Sequence, residues 1–365
     1  MRVKVLGSAA GGGFPQWNCG CPNCSGLRNG NLKARPRTQA QVAVSPNASR
    51  WFLLNASPDL RQQILAAPEL SVISSTTGSP ISTVLLTSAD VDCVMGLLHL
   101  REFHPLRIYS TLSVRRAITE ENSLFRVLSR SNPPVQWETL SLDRIIPLAP
   151  PSSPGAKDGL FCKAVPLLGS FPDYVSDSLK RNFPSEEAVI GLQLVQKDKR
   201  FFYAPSVPGL GESSQRSADE SDVALLDGTF WKDDELIQAK RSRKTARDMG
   251  HLPLWGERGM LKLPFRLGKT RRVLIHLNNT NPVLNEESPE HRAVREAGWE
   301  IAYDGMEFNL LLHPSKLRKK ILCSRKQSSS PAFTPSAKSA ITTSILSTCS
   351  CMKASSRAAS FKRGR

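Results

Sequence analysis

Short apolar runs bounded by turn residues recur from Val3 to Tyr303, and runs of strand length outnumber those with a helical period. Residues 3–6 read as a first strand. Residues 39–44 alternate as a second, and the wholly apolar 51–54 form a third, more buried one. The Pro46-Asn47 pair between the last two is a turn signal. Further strands are expected at 83–86, 107–109, 161–167, 188–195, 200–204, within 222–230, at 272–276 and at 299–303. Gln196-Lys197-Asp198-Lys199 joins two of them as a hairpin.

Helical signals fall between groups of strands. Ser57-Pro58-Asp59 predicts a helix start, with Ser57 as cap, Pro58 in the first helical position, and Leu60, Ile64 and Leu65 on the apolar face. An amphipathic helix is expected after Cys93, through Leu97, Leu98 and Leu100, and others at 113–119, 235–248 and 288–297. Residues 147–157 are rich in Pro and Ser and read as a loop. Strands in groups with helices between them predict an α/β fold: two sheets packed face to face and covered by helices.

Composition narrows the class. Of 365 residues 40% are hydrophobic and 22% charged, which suits a packed core. No apolar run reaches the ~18–20 residues of a membrane span. The apolar tract at the start is too short for a secretion signal, so a cytoplasmic protein without a membrane span is expected. Eight cysteines in a chain of this length do not suggest a secreted disulfide framework. The net charge of +17 is unevenly spread. Residues 309–365 hold 12 of the 49 Lys and Arg and no Asp or Glu, which leaves 37 basic against 32 acidic residues in 1–308. The body is therefore only mildly basic, and no specific nucleic-acid partner is expected. The reading is one domain over 1–308 and a basic, Ser-rich, disordered tail over 309–365.

The chemistry concentrates in few places. Cys19, Cys21 and Cys24 form a C-x-C-x-x-C array among glycines and prolines that let the backbone aim three sulfurs at one point. Thiolates prefer a soft metal, and the array reads as a structural zinc knuckle stapling the N-terminus to a later segment. The glycine-rich loop 7–15 follows a strand, but it lacks G-x-G-x-x-G and no helical pattern follows, which argues against a phosphate cradle. Asp90, Asp92 and Cys93 follow one strand, and Asp227 and His276 end two others, while His251 follows a helix. Singly, such residues are usually caps or packed, hydrogen-bonded side chains. Together they make a metal or acid–base set.

The stretch 6–24, from Leu6-Gly7-Ser8 through Trp17-Asn18-Cys19-Gly20-Cys21-Pro22-Asn23-Cys24, resembles the opening of the coenzyme PQQ synthesis protein B family. So do Asn55-Ala56-Ser57-Pro58-Asp59-Leu60-Arg61, Phe202-Tyr203-Ala204-Pro205, Asp227-Gly228-Thr229-Phe230-Trp231, Met249-Gly250-His251-Leu252, His276-Leu277-Asn278-Asn279-Thr280-Asn281-Pro282 and Asp304-Gly305-Met306. These landmarks occur in order across 1–308. The resemblance implies a metallo-β-lactamase fold, an αββα sandwich with its site at one edge of the two sheets. The H-x-H-x-D-H motif of that superfamily stands here as Ser88-Ala89-Asp90-Val91-Asp92-Cys93. The family lacks the first two histidines but usually keeps the last, so Cys93 is a departure.

The resemblance further implies oxygen-dependent hydroxylation of the tyrosine ring in a cross-linked Glu–Tyr intermediate derived from the PqqA peptide. Iron would be held by Asp92, Asp227 and His276, with Asp90 and Cys93 beside it and His251 in proton transfer or substrate contact. Carriage of PQQ or a precursor toward the periplasm is the alternative, and a homodimer is open. In related phosphodiesterases the fourth zinc ligand lies three residues beyond the final histidine. That position is Asn279 here, with His251 as its competitor. A two-metal phosphodiesterase is disfavoured, because Ser88, Asp90 and Cys93 stand where its motif has histidines.

Overall fold

The alternation along each strand divides its side chains between two cores. In residues 51–54, Phe52 and Leu54 join one apolar cluster, and Trp51 and Leu53 join the other. Residues 201–204 divide the same way, Phe201 and Tyr203 against Phe202 and Ala204. The first cluster takes residues from both sheets and lies between them. The second covers their outer faces, where Leu60, Val114, Ile118, Leu179 and Val294 pack from helices. Strands buried on both faces explain the near-continuous apolar runs.

This computed structural model describes residues 1–71, 79–101, 105–132, 134–148, 159–265 and 270–310. The strands are β1 (Arg2–Gly7), β2 (Gln41–Ser45), β3 (Trp51–Leu54), β4 (Ile81–Leu85), β5 (Arg107–Ser110), β6 (Gln136–Thr139), β7 (Ile145–Pro147), β8 (Phe161–Leu167), β9 (Val189–Gln196), β10 (Lys199–Ala204), β11 (Val223–Asp227), β12 (Arg271–Ile275), β13 (Trp299–Ile301) and β14 (Glu307–Asn309). The α-helices are α1 (Pro22–Arg28), α2 (Leu60–Ala66), α3 (Val91–Val94), α4 (Leu112–Thr119), α5 (Asp177–Asn182), α6 (Glu212–Asp219), α7 (Glu235–Gln238) and α8 (Pro289–Glu296). One sheet has the order β14-β1-β2-β3-β4-β5-β6 and the other β13-β12-β11-β10-β9-β8-β7. In each, the antiparallel part passes into a parallel part: β3 to β6 in the first and β10 to β13 in the second. The expected two-sheet α/β sandwich is the observed one.

Local differences have local causes. The helix expected from Ser57 starts at Leu60. The Ser57 N–H donates to Gln41 Oε1 at 2.7 Å and its hydroxyl to Gln63 Oε1 at 2.9 Å, so tertiary bonds take the side chain that would have capped. The helix expected after Cys93 is one turn of α3 followed by tight 3₁₀ turns over Met95–Leu100. Gly96 causes the change, since its N–H donates to Ala56 O at 2.8 Å and a Cβ there would meet Ser57 O at 2.3 Å. Over 235–248 only α7 and a 3₁₀ turn at Arg247–Met249 form. β6 and β14 had no sequence signal, being short edge strands with largely exposed residues. Most of the expected loop 147–157 and nearly all of the tail lie outside the described residues. Among the described residues no helix is long and apolar enough to cross a membrane.

Candidate active site

Parallel strands bring their carboxyl ends to one edge. β10, β11 and β12 run in register, with Ala204 beside Leu226 and Asp227 beside Ile275. Pro205, Asp227 and His276 therefore emerge together, and in the other sheet β4 delivers the turn from Thr87 to Cys93. The glycine-rich loop after β1 is tied in by parallel bridges from Ala9 to Gln39 and Leu277. A cavity of about 570 Å³ results, lined by Gly11, Gly12, Asp90, Asp92, Cys93, Tyr174, Phe230, His251, His276 and Asn278, among others. That is within the range of small-molecule sites.

Asp227 lies beneath the cavity, fully buried. Its Oδ1 accepts from the Thr229 N–H at 2.9 Å and the Thr229 hydroxyl at 2.6 Å; its Oδ2 accepts from the Val207 N–H at 2.8 Å and lies 2.8 Å from His251 Nδ1. Thr229 Oγ1 is also 2.8 Å from His276 Nδ1 and 3.1 Å from His251 Nδ1. A hydroxyl has one proton, and the carboxylate takes it, so both imidazoles must carry their proton on Nδ1. Each Nε2 is then the ring atom left for other work.

His276 Nε2 meets Asp92 Oδ2 at 2.8 Å across the two sheets. Burial works against an imidazolium, but the Asp92 carboxylate outweighs it and lifts His276 above its ordinary value. The same contact holds Asp92 below its own, again against burial. His276 keeps a φ of 63°, a strained conformation for a side chain other than glycine. Its bonds at both ring nitrogens hold it there.

The set fits a divalent first-row cation. One donor atom each from Asp227, His251 and His276 lies within 4.8 Å of the others. Two ligands at ~2.1 Å from one ion can stand as far apart as His276 Nε2 and Asp92 Oδ2. Carboxylates and imidazoles without thiolate suit iron, manganese or zinc. Asp90 lines the same cavity; burial, then the charge of Asp92, raises its carboxyl, and Ser88 donates to it at 2.7 Å. Cys93 lines the cavity too, with Sγ 3.9 Å from Thr87 Oγ1, and burial raises its thiol well above the ordinary value.

The three array cysteines do converge: their sulfurs lie within 4.8 Å of one another, all buried. Cys21 caps α1, its Sγ accepting from the Cys24 N–H at 3.5 Å. Burial and the neighbouring sulfurs push Cys21 up to about 12. Burial also opposes ionisation of Cys19, yet the Cys21 N–H and the adjacent thiols hold it below its ordinary value. Three thiolates cannot share this space without a cation, which is what zinc supplies. Asn279 stands beside them, with Nδ2 3.4 Å from Cys24 Sγ and 3.7 Å from Cys21 Sγ. His251, the competing fourth ligand, is instead bonded to Asp227. Asn23 Nδ2 donates to the carbonyls of Asn279 and Asn281 at 3.1 and 2.9 Å, stapling the knuckle to the segment after His276.

Sequence reasoning missed Thr229, Tyr174 and Glu235. Thr229 had a signal, two residues beyond Asp227 at a strand end. Tyr174, whose hydroxyl donates to Ala89 O at 2.6 Å and so pins the turn before Asp90, had none.

The sequence profile of the Beta-lactamase superfamily domain matches residues 50–277. A coenzyme PQQ synthesis protein B from Klebsiella pneumoniae subsp. pneumoniae is 41% identical over 315 residues, 85% of this chain and 98% of that protein. One from Azoarcus sp. is 42% identical over 315 residues, 85% of this chain and 100% of that protein. Among solved structures, Zn(2+)-bound PqqB from Methylobacterium extorquens is 38% identical with a TM-score of 0.77, covering 85% of this chain and 100% of that one. A diphosphatase of the PhnP family, 17% identical over 84% of this chain and 97% of that one, shares the fold with a TM-score of 0.58.

Proposed function

This chain belongs to the coenzyme PQQ synthesis protein B family of the beta-lactamase superfamily, and on that premise we propose that it hydroxylates a tyrosine ring on the way to PQQ. The substrate is the cross-linked Glu–Tyr intermediate derived from the PqqA peptide. The contact between His276 Nε2 and Asp92 Oδ2, made at the wall of a small-molecule cavity, carries the reading.

Asp92, Asp227 and His276 would hold iron there, and Cys19, Cys21 and Cys24 zinc, with Asn279 adjacent. Iron(II) in an N/O set with open positions binds and activates O₂. The chain's own residues do the rest. Thr229 fixes the tautomers of both histidines through Asp227. His251, with Nδ1 held on that carboxylate, has Nε2 free to exchange a proton with the phenol. Asp90, whose carboxyl is raised by burial and by the charge of Asp92, stands in the cavity as a second group able to exchange a proton. Phe230, edge-on to His251 with ring centroids 5.7 Å apart, keeps the imidazole from turning.

Carriage of PQQ or a precursor is the second reading. The four donors that already occupy both oxygens of Asp227 favour it, since a carrier needs only the cavity. The test uses the isolated cross-linked substrate, iron-loaded protein, oxygen-18 gas and ascorbate, which supplies the two electrons that reduce the second oxygen atom to water. Labelled oxygen on the tyrosine ring is the expected result. Tight binding of PQQ by metal-free protein, with no label transferred, would replace hydroxylation by carriage.

A further inference from the structure

Asn278 stands on the wall between the 570 Å³ cavity and a smaller one of about 280 Å³ beside Cys19. Its backbone is fixed, the N–H donating to Thr229 O at 3.1 Å and the carbonyl accepting from the Asn281 N–H at 2.9 Å. Its side chain is fixed by a relay. Asn278 Nδ2 donates to Thr280 Oγ1 at 2.6 Å, and the Thr280 hydroxyl donates to Glu235 Oε1 at 2.5 Å. The other Glu235 oxygen accepts from the Trp231 N–H at 2.6 Å.

The direction of this relay follows from proton counting. An ionised carboxylate only accepts, so Thr280 must spend its single proton on Glu235. The Thr280 oxygen can then only accept from Asn278, which turns the amide NH₂ toward it. Thr280 lines the smaller cavity and not the larger. Asn278 itself lines both, so the amide oxygen, the atom not committed to Thr280, is the one available to the active-site cavity, and among the described residues nothing donates to it.

We propose that Asn278 Oδ1 receives an N–H or O–H donor of the bound molecule, with Thr280 and Glu235 as the positioning residues that set its polarity. Beside it the wall carries the carboxylates of Asp90 and Asp92, which serve the proton and the metal. A fixed neutral acceptor selects a ligand that presents a donor and disfavours one that presents only acceptors. The substrate class is thus an aromatic compound with a phenolic O–H or a ring or peptide N–H, which rests on the hydroxylase reading and sharpens it.

Burial pushes Glu235 up to about 7, with Asp234 the charged neighbour adding to the rise. Binding is therefore measured at pH 8, where the carboxylate is ionised. The probe is PQQ, whose pyrrole N–H is a donor, titrated into full-length, zinc-replete protein. Thr280→Ser keeps the hydroxyl and is expected to bind like wild type. Thr280→Val frees the amide, and Glu235→Gln sets an NH₂ against Thr280 and reverses the relay. These two and Asn278→Leu are expected to bind about tenfold more weakly. Wild-type affinity in Thr280→Val and Glu235→Gln would overturn the proposal.

If wild type does not bind PQQ, the carriage reading fails, the hydroxylase reading stands on its own oxygen-18 test, and the relay is judged separately. With ¹⁵N-labelled asparagine, the Asn278 side-chain amide should give a hydrogen-bonded signal in wild type and Thr280→Ser that is lost in Thr280→Val. An unchanged signal in Thr280→Val would overturn the relay.

Discussion

His276→Asn protein is expected to lose its iron and about a thousandfold in hydroxylation rate, ~4 kcal/mol of barrier. Asparagine tolerates the positive φ that His276 adopts, so the loss is not one of backbone. It is too short to reach Asp92, and it offers an amide where the imidazole Nε2 stood. Zinc should stay at the knuckle, whose cysteines do not touch His276. Iron per chain and ring hydroxylation, measured on the same sample, check both halves. The pH dependence has a definite sign. The folded value of His276 is raised, so the proton it shares with Asp92 stabilises the metal-free protein fully below the ordinary histidine value. That contribution fades as pH rises through the raised one. The depressed value of Asp92 adds stability present above the ordinary carboxylate value and lost as pH falls through the depressed one. A metal must displace the shared proton, so iron affinity should climb as pH rises toward the raised histidine value and level off above it.

Cys21→Ser should remove the zinc and lower stability by roughly 3 kcal/mol or more, a fall of about 6–12 °C in unfolding midpoint. Cys21 is the centre of the array: it caps α1, its sulfur receives the Cys24 N–H, and it lies 3.6 Å from Asn279 O. Structural zinc is worth ~10 kcal/mol in a small zinc-finger peptide. Less is lost here, because the two-sheet core folds around residues far from the knuckle. The weakened part should be the segment after His276, which Asn23 holds through Asn279 and Asn281. Calorimetry with and without a zinc chelator measures the effect in wild type, and the chelator should have none in Cys21→Ser.

Residues whose role depends on a strand end were legible in the sequence. Asp227 and His276 each close an apolar run of strand length, and both arrive at the common edge. The three cysteines were legible from spacing alone. The pairing of His276 with Asp92 was not, since 184 residues separate them and only the stacking of two sheets joins them. The same limit hid the relay from Glu235 to Thr280. It also left Asn279 and His251 as rivals for the zinc: one is carried toward the sulfurs and the other toward Asp227 by loops with no periodic signal. The helix expected over 235–248 failed because its residues offer no apolar face, and Ala246 alone in the latter half is buried. Gly96 broke another helix through a contact with Ser57 that no local pattern encodes.

The chain is expected to hold two different metals, zinc at the cysteines and iron at the Asp and His set. Elemental analysis of anaerobically purified wild type and Cys93→His, each supplied with iron(II), tests it most directly. One zinc and one iron per wild-type chain is the result predicted. Zinc alone in wild type, with iron bound only by Cys93→His, would contradict it.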